Sequence, residues 1–221
     1  LNRRGTRFCL WLVDASPNDL KNSKVLKERV AKVLTERLSA TSSKGAAANR
    51  PALFETITQP IVEYFAVPSV SSEKRNYIPI AIASPNEILN NALFSISSSD
   101  LSVFAILESK VFTIWVQNVS SRLESRYQIS ATAVYNTFPF PALNNLQRSE
   151  LIHFAEEILR IRENFNEVNL GDLYDPALMP MELQKMHAKL DVAVQKIFGI
   201  KSSASDAEIL SVLFNLYAQA A

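Results

Sequence analysis

The sequence predicts an α+β fold: a mixed α/β domain of small twisted sheets over residues 1–141, then a small all-helical domain over residues 142–221. Short apolar runs broken by Pro, Ser and Asn fill the first part, as in Ile61 to Pro68, Tyr77 to Ala83 and Leu93 to Ser97. Runs of that length with such flanks read as strands. After Pro141 the apolar spacing changes to three and four residues, the signature of amphipathic helices. Phe138-Pro-Phe-Pro141 separates the two regimes. Each Pro lacks the N–H that a helix interior or central strand needs, so an extended linker is expected there.

Taken in order, Phe8 to Val13 reads as a short buried strand enclosing the single Cys9. Ser16-Pro17 opens a turn or a first helical position. Ser23 can cap a helix striped by Leu26, Val30, Val33, Leu34 and Leu38. Thr41 to Arg50 is small and polar and carries Lys44 and Arg50. That composition gives a mobile loop or one that orders on a phosphate backbone. The loop between the strands at 61–67 and 77–83 holds Ser71, Ser72, Lys74, Arg75 and Asn76, a set suited to phosphate oxygens; an ordinary hairpin loop fits the same spacing. Asp100 or Ser99 caps a helix with Leu101, Phe104, Ala105, Val111, Phe112 and Trp115 on a broad apolar stripe. Beyond the linker, Asn144 with Gln147 and Ser205 with Glu208 form capping boxes. Between those two helices, Leu183 to Ile197 makes a third that stops at Gly199, with His187 beside its stripe as a packed or hydrogen-bonded residue.

The stretch with chemical content is Arg122-Leu-Glu-Ser-Arg-Tyr-Gln-Ile-Ser130. As one extended strand it places Arg122, Glu124, Arg126 and Gln128 on one face and Leu123, Ser125, Tyr127 and Ile129 on the other. Arg pairs with guanine, Gln with adenine, and Glu accepts from the amino group of cytosine. A ribbon showing such a row to the major groove can read several base pairs. The same pattern also fits a solvated strand face with a cross-strand ion pair.

Other chemistry is poorly supplied. With two His and one Cys, a zinc site built from those residues is improbable, and four Gly cannot form a Gly-rich phosphate or dinucleotide loop. An Asn-Pro-Pro-aromatic loop for a flipped adenine is missing, and so is a Gly-rich S-adenosylmethionine loop. No stretch reaches the roughly 18 apolar residues of a membrane span. One Cys fits a reducing, cytoplasmic compartment. Leu1-Asn-Arg-Arg-Gly-Thr-Arg7 is polar and basic, unlike a secretory leader, and an opening Leu suits an excised segment of a longer protein. Charge is uneven: 16 Lys and Arg against 11 Asp and Glu through Pro141, then 7 against 11. The basic part suits a polyanion and the acidic part does not. A binding module is expected rather than an enzyme; a structural or protein-interaction module is the alternative.

Several motifs together resemble the MmeI-like type IIL restriction–modification proteins, single chains that fuse an endonuclease, an adenine-N6 DNA methyltransferase and a target recognition domain. They are Arg7-Phe-Cys-Leu-Trp-Leu12, Pro68-Ser-Val-Ser-Ser-Glu-Lys-Arg-Asn-Tyr-Ile-Pro79, Ser121-Arg-Leu-Glu-Ser-Arg-Tyr127, Val134-Tyr-Asn-Thr-Phe-Pro-Phe-Pro141, Ile158-Leu-Arg-Ile-Arg162, Asp172-Leu-Tyr-Asp-Pro176 with Met179-Pro180, and Ala188-Lys-Leu-Asp191. They run nearly the length of the chain in the family's order. The resemblance implies a target recognition domain over residues 1–141, akin to those of TaqI-like adenine methyltransferases, and a helical C-terminal domain beyond. It implies double-stranded DNA as partner, with methyltransferase and nuclease domains upstream in the same chain. It implies no cofactor in this segment, with S-adenosylmethionine and Mg2+ bound upstream. It places base choice on Glu124, Arg126 and Gln128, with Ala92 on a neighbouring element; Arg122 joins this set from the strand alternation alone. Members usually have Gly where Ser120 or Ser121 stands and often Trp where Phe140 stands.

Overall fold

Tyr64-Phe-Ala-Val-Pro68 is apolar on both faces, and a strand of that kind must be covered on both sides. It forms β1 (Tyr64–Pro68), the centre of an antiparallel sheet with β3 (Ala81–Ala83) on one side and β4 (Leu93–Ile96) on the other. This is seen in a computed structural model, which describes residues 8–40, 45 and 47–220. Phe65 and Val67 enter the main core, while Tyr64 and Ala66 pack against Ala81, Ala83 and Leu89. The predicted strand over 77–83 is shorter than expected. Pro79 has no donor, and the N–H and C=O of Ile80 are taken by side chains of Glu108 and Arg162, so the ladder starts only at Ala81.

The chain bends after Pro68 and passes into a second antiparallel sheet. This contains β2 (Val70–Ser71), β5 (Ser121–Leu123) and β6 (Arg126–Gln128) in the order β2–β6–β5. Ser69 joins the sheets: its N–H donates to the Ala92 carbonyl and its carbonyl accepts from the Ile129 N–H, both at 2.8 Å.

The apolar stripe after Asp100 predicts one helix, but there are two, α3 (Leu101–Leu107) and α4 (Lys110–Val119). Asp100 caps α3 through the Ser102 N–H. Ser109 caps α4, and between them Glu108 turns its carboxylate into the interior. Trp115 is buried, its indole N–H on the Val134 carbonyl at 3.1 Å. The expected linker is not an open tether. After a π-helical turn at Ala131–Tyr135, Phe138 inserts edge-on against Phe112, Trp115 and Phe198. An aromatic ring next to a proline has as much apolar area to bury as any core residue.

Asn144 and Gln147 make the predicted capping box of α5 (Asn145–Glu163). A short α6 (Leu170–Leu173) lies within the following connection. The next helix, α7 (Met181–Ile197), ends where Gly199 takes φ 69°. The Gly199 N–H then bonds Lys196 and the Ile200 N–H bonds Gln195, closing the last turn. Ser205 and Glu208 cap α8 (Asp206–Ala220). One buried cluster runs from Phe65 and Ile78 through Phe104 and Trp115 to Leu151, Leu190 and Leu213, so the core crosses Pro141.

By contacts, residues 8–58 form a unit distinct from residues 59–220. It holds α1 (Pro17–Asn22), capped by Ser16 with Pro17 at its start, and α2 (Lys24–Ser39), capped by Ser23. Its Phe8 to Val13 segment is not the buried strand expected: no strand is assigned there, Phe8 is exposed, and so is Cys9. A strand needs a ladder partner, and none pairs with it among the described residues. Trp11 instead packs on Phe54.

Candidate nucleic-acid interface

The Arg122 to Ser130 stretch is a hairpin, not one strand. Cross-strand pairs are Ser121 with Gln128, Arg122 with Tyr127, and Leu123 with Arg126, leaving Glu124 and Ser125 as a two-residue turn. Glu124 has φ 59°, a left-handed conformation that side chains rarely adopt. The reversal alters which residues share a face, because cross-strand partners emerge on the same side. Ser121, Leu123, Arg126 and Gln128 are exposed on one side; Tyr127 is buried on the other, with the Arg122 guanidinium 4.2 Å over its ring.

Arg122 therefore does not belong to the row in which the sequence places it. Its guanidinium donates to the carbonyls of Gln117 and Ser125 and braces the turn. Leu123, expected on the core side, stands beside Arg126 instead. Glu124 and Arg126 do share a side: Nη2 of Arg126 donates to Oε2 of Glu124 at 2.8 Å, with side chains 44% and 77% exposed. Ser121 Oγ donates to Gln128 Oε1 at 3.1 Å, which orients that amide. Ala92 is exposed at the start of β4, and the Ala92–Ser69–Ile129 hydrogen bonds place it one strand away from Gln128. The structure thus puts Glu124, Arg126 and Gln128 on one side of the hairpin, with Glu124 at its tip, and Ala92 across Ser69 from the Ile129 end of β6.

The expected five-residue phosphate clamp divides in two. Lys74 and Asn76 are exposed, and Ser72 Oγ accepts from the Lys74 N–H. Ser71 is 1% exposed in β2, out of reach of a phosphate. Arg75 points inward: its Nη2 donates to the Gly171 carbonyl at 3.0 Å and its Nε is buried. A Cβ on Gly171 would come within 3.3 Å of that guanidinium and 3.2 Å of Asn169 Oδ1, so a larger residue there would make both side chains shift slightly. In the 8–58 unit Arg50 donates to the Glu55 carbonyl, and Arg37 holds the carbonyls of Ala47, Arg50 and Leu53. Arg50 is therefore a loop brace in this conformation; Lys44 lies outside the described residues.

A polar network that the sequence reading did not assemble supports this surface. Buried Glu108 accepts from the Ile80 N–H at 3.0 Å and pairs with Arg162 at 2.6 Å. Arg162 also donates to the Ile80 carbonyl and the Tyr174 hydroxyl. His187 donates its Nδ1–H to the Glu108 carbonyl at 3.0 Å, which leaves Nε2 as an acceptor 2.8 Å from the Tyr174 hydroxyl; the one hydrogen of that hydroxyl serves both Nε2 and Glu108 Oε2, the latter at 3.0 Å. Tyr77 stacks on His187 and donates to Asp191, whose other oxygen takes the Lys110 N–H. Burial pushes the Glu108 carboxyl up, the Asp191 carboxyl up to about 6 and the His187 imidazole down to about 3. Arg75, Tyr77 and Ile80 are all held by residues from α5, α6, α7 or the turn before α4. The loop carrying Lys74 is thereby fixed to the helical part. The sequence signal for this is a set of ionisable groups at apolar-stripe positions: Arg162 follows Leu151, Ala155 and Ile158 at helical spacing, and His187 sits beside the next stripe.

Among the described residues no three His, Cys, Asp or Glu side chains converge as metal ligands would, and no helix is long and apolar enough to cross a membrane. What the fold presents is a solvent-facing polar hairpin on two small sheets, braced by helices: a recognition module. Sequence models of two families match it, the MmeI target recognition domain over residues 1–142 and the MmeI C-terminal domain over residues 143–221, and the chain belongs to the MmeI family. It is 37% identical over 215 residues to DNA methyltransferase A of Bacillus subtilis (strain 168), covering 96% of this chain and 24% of that protein. The solved structure of the type IIL restriction–modification enzyme MmeI in complex with DNA matches with a TM-score of 0.91 at 37% identity, covering 96% of this chain and 28% of that one. The chain thus spans about a quarter of the length of these relatives.

Proposed function

We propose that the chain is the sequence-reading part of a longer, cytoplasmic DNA adenine-N6 methyltransferase and restriction enzyme. The β5–β6 hairpin enters the major groove of double-stranded DNA. Methylation and cleavage, with S-adenosylmethionine and Mg2+, belong to domains upstream. The observation that carries this is the exposed Glu124–Arg126 pair with Gln128 on one hairpin face, in a chain whose structural relative is described in complex with DNA. The pair reads a C·G base pair, Glu124 accepting from the cytosine amino group and Arg126 donating to guanine. Gln128 and Ala92 face neighbouring positions. Lys74, with Ser72 and Asn76, meets the phosphate backbone and sets register.

The double swap Glu124→Lys with Arg126→Asp in the full-length protein tests this. The preferred base at one position should change, with discrimination of about 1–3 kcal/mol, while turnover persists. An unchanged recognition site excludes base reading by the pair. A protein-interaction module without DNA readout would show no salt-dependent affinity for duplex DNA, whereas phosphate contacts make affinity fall with salt.

A further inference from the structure

One residue on the hairpin face has no part in the polar scheme. Leu123 is directly across from Arg126 and is 45% exposed. Its neighbours on that side are Ser121, Arg126 and Gln128, and the core-facing position of the pair of strands is filled by Tyr127 with Arg122 over it. Leu123 cannot turn inward without reversing the alternation of β5, which would expose Tyr127's partner side and break the register. Its isobutyl group therefore stays among polar neighbours, with nearly half of its surface open to solvent.

A duplex supplies an apolar partner on that side. Among base edges in the major groove, the C5-methyl group of thymine is the apolar feature. Cross-strand side chains on one face of a ribbon stand about 4.5–5.5 Å apart at Cβ, against about 3.4 Å between successive bases along a DNA strand. If Arg126 meets a guanine, Leu123 reaches the adjacent base pair. We infer that Leu123 is a specificity residue: it packs on the 5-methyl of a thymine in the base pair next to the one read by Glu124 and Arg126. This rests on the groove-facing orientation proposed above and adds an apolar reader to that row.

Replacing thymines by uracil one at a time, within and beside the recognition site, removes only the methyl group. With the full-length protein, one such replacement should weaken binding about fourfold, the effect of losing one buried methyl-sized group. That position should adjoin the base pair whose identity changes in the Glu124→Lys, Arg126→Asp swap. Leu123→Ala should bind thymine and uracil DNA equally there, and Leu123→Met should restore part of the difference. A swap that leaves the recognition site unchanged overturns the groove reading and this inference with it. A swap that does change the site, with no methyl-sensitive neighbour or with the sensitivity kept in Leu123→Ala, overturns the role of Leu123 alone.

Discussion

Two Glu–Arg pairs in the same unit of this chain have similar contact geometry and opposite consequences. Glu108 and Arg162 meet at 2.6 Å with side chains 0% and 8% exposed; Glu124 and Arg126 meet at 2.8 Å in solvent. The buried pair is enclosed by the Ile80 backbone, Tyr174 and His187, so its charges can have no other partner. The exposed pair contributes about 0–1 kcal/mol to folding, and either member can exchange its partner for a base edge. Burial thus separates an ion pair that fixes the platform from one free to be read out.

The largest break in that comparison is Glu108→Ala. It leaves Arg162 buried without a counter-charge and should destabilise the chain by about 3–5 kcal/mol, measured by urea unfolding. Replacing both members by apolar residues of similar volume, Glu108→Leu with Arg162→Met, should recover part of the loss by removing the unpaired charge, the rest staying lost because the Ile80 N–H and C=O have no partner. The same removal at Glu124 or Arg126 should change the unfolding midpoint little. Equal losses at the two pairs would remove the distinction.

Acid titration probes the buried side further. The folded chain refuses a proton on His187 down to about pH 3, whereas an unfolded imidazole takes it near 6.5, so His187 withdraws stability as pH falls through that window. Asp191 acts in the opposite sense. Its folded carboxyl holds a proton up to about pH 6 against an ordinary 3.8, so its contribution is present at low pH and lost as pH rises. Between about pH 4 and 6 the two oppose each other. Asp191→Asn should expose the His187 slope, up to about 1.4 kcal/mol per pH unit, with stability falling on acidification. His187→Gln should reverse the sign. Parallel curves for the parent and both variants would show that neither group titrates as described.

Lys74 and Arg75 repeat the contrast in adjacent residues. Lys74→Ala should weaken binding to all DNA sequences alike and reduce the salt slope by about 0.9, as loss of one phosphate contact does. Arg75→Ala should act first on folding, by about 1.5–3 kcal/mol for a lost charged hydrogen bond to the Gly171 carbonyl. A reduced salt slope from Arg75→Ala with unchanged stability would return Arg75 to the phosphate set.

The pattern of legibility follows the same division. Caps and helix stripes were readable because Ser16, Asn144, Ser205 and Gly199 act on neighbours three or four residues away. The hairpin was not, because Glu-Ser carries none of the Asn-Gly or Gly-X signals of two-residue turns; the error in parity at Leu123 and Arg122 followed directly. Likewise nothing local marks Glu108 or Arg162 as partners. They lie 54 positions apart in the chain, Arg162 within α5 and Glu108 in the turn between α3 and α4, where a charged residue normally faces water. Glu124 and Arg126 were accessible to the sequence because their pairing is local; the network that holds Arg75, Tyr77 and Ile80 was not.

The smallest expected stability effect concerns the turn itself, and it ties strain to recognition. Glu124 holds φ 59°, a conformation that disfavours a residue with a Cβ by about 1–2 kcal/mol. Glycine adopts it freely but loses about 0.5–1 kcal/mol through its more flexible unfolded chain. Glu124→Gly should therefore stabilise the chain slightly, by about 0.5 kcal/mol from these two terms. The same change deletes the carboxylate proposed to accept from cytosine, so discrimination at that base pair should drop about tenfold or more. A gain in the unfolding midpoint together with that loss would mean the side chain is kept at the tip for what it reads rather than for how it folds. A Gly variant that is less stable, or that keeps the same base preference, would mean the turn geometry depends on the Glu124–Arg126 bond and the carboxylate has a purely structural part.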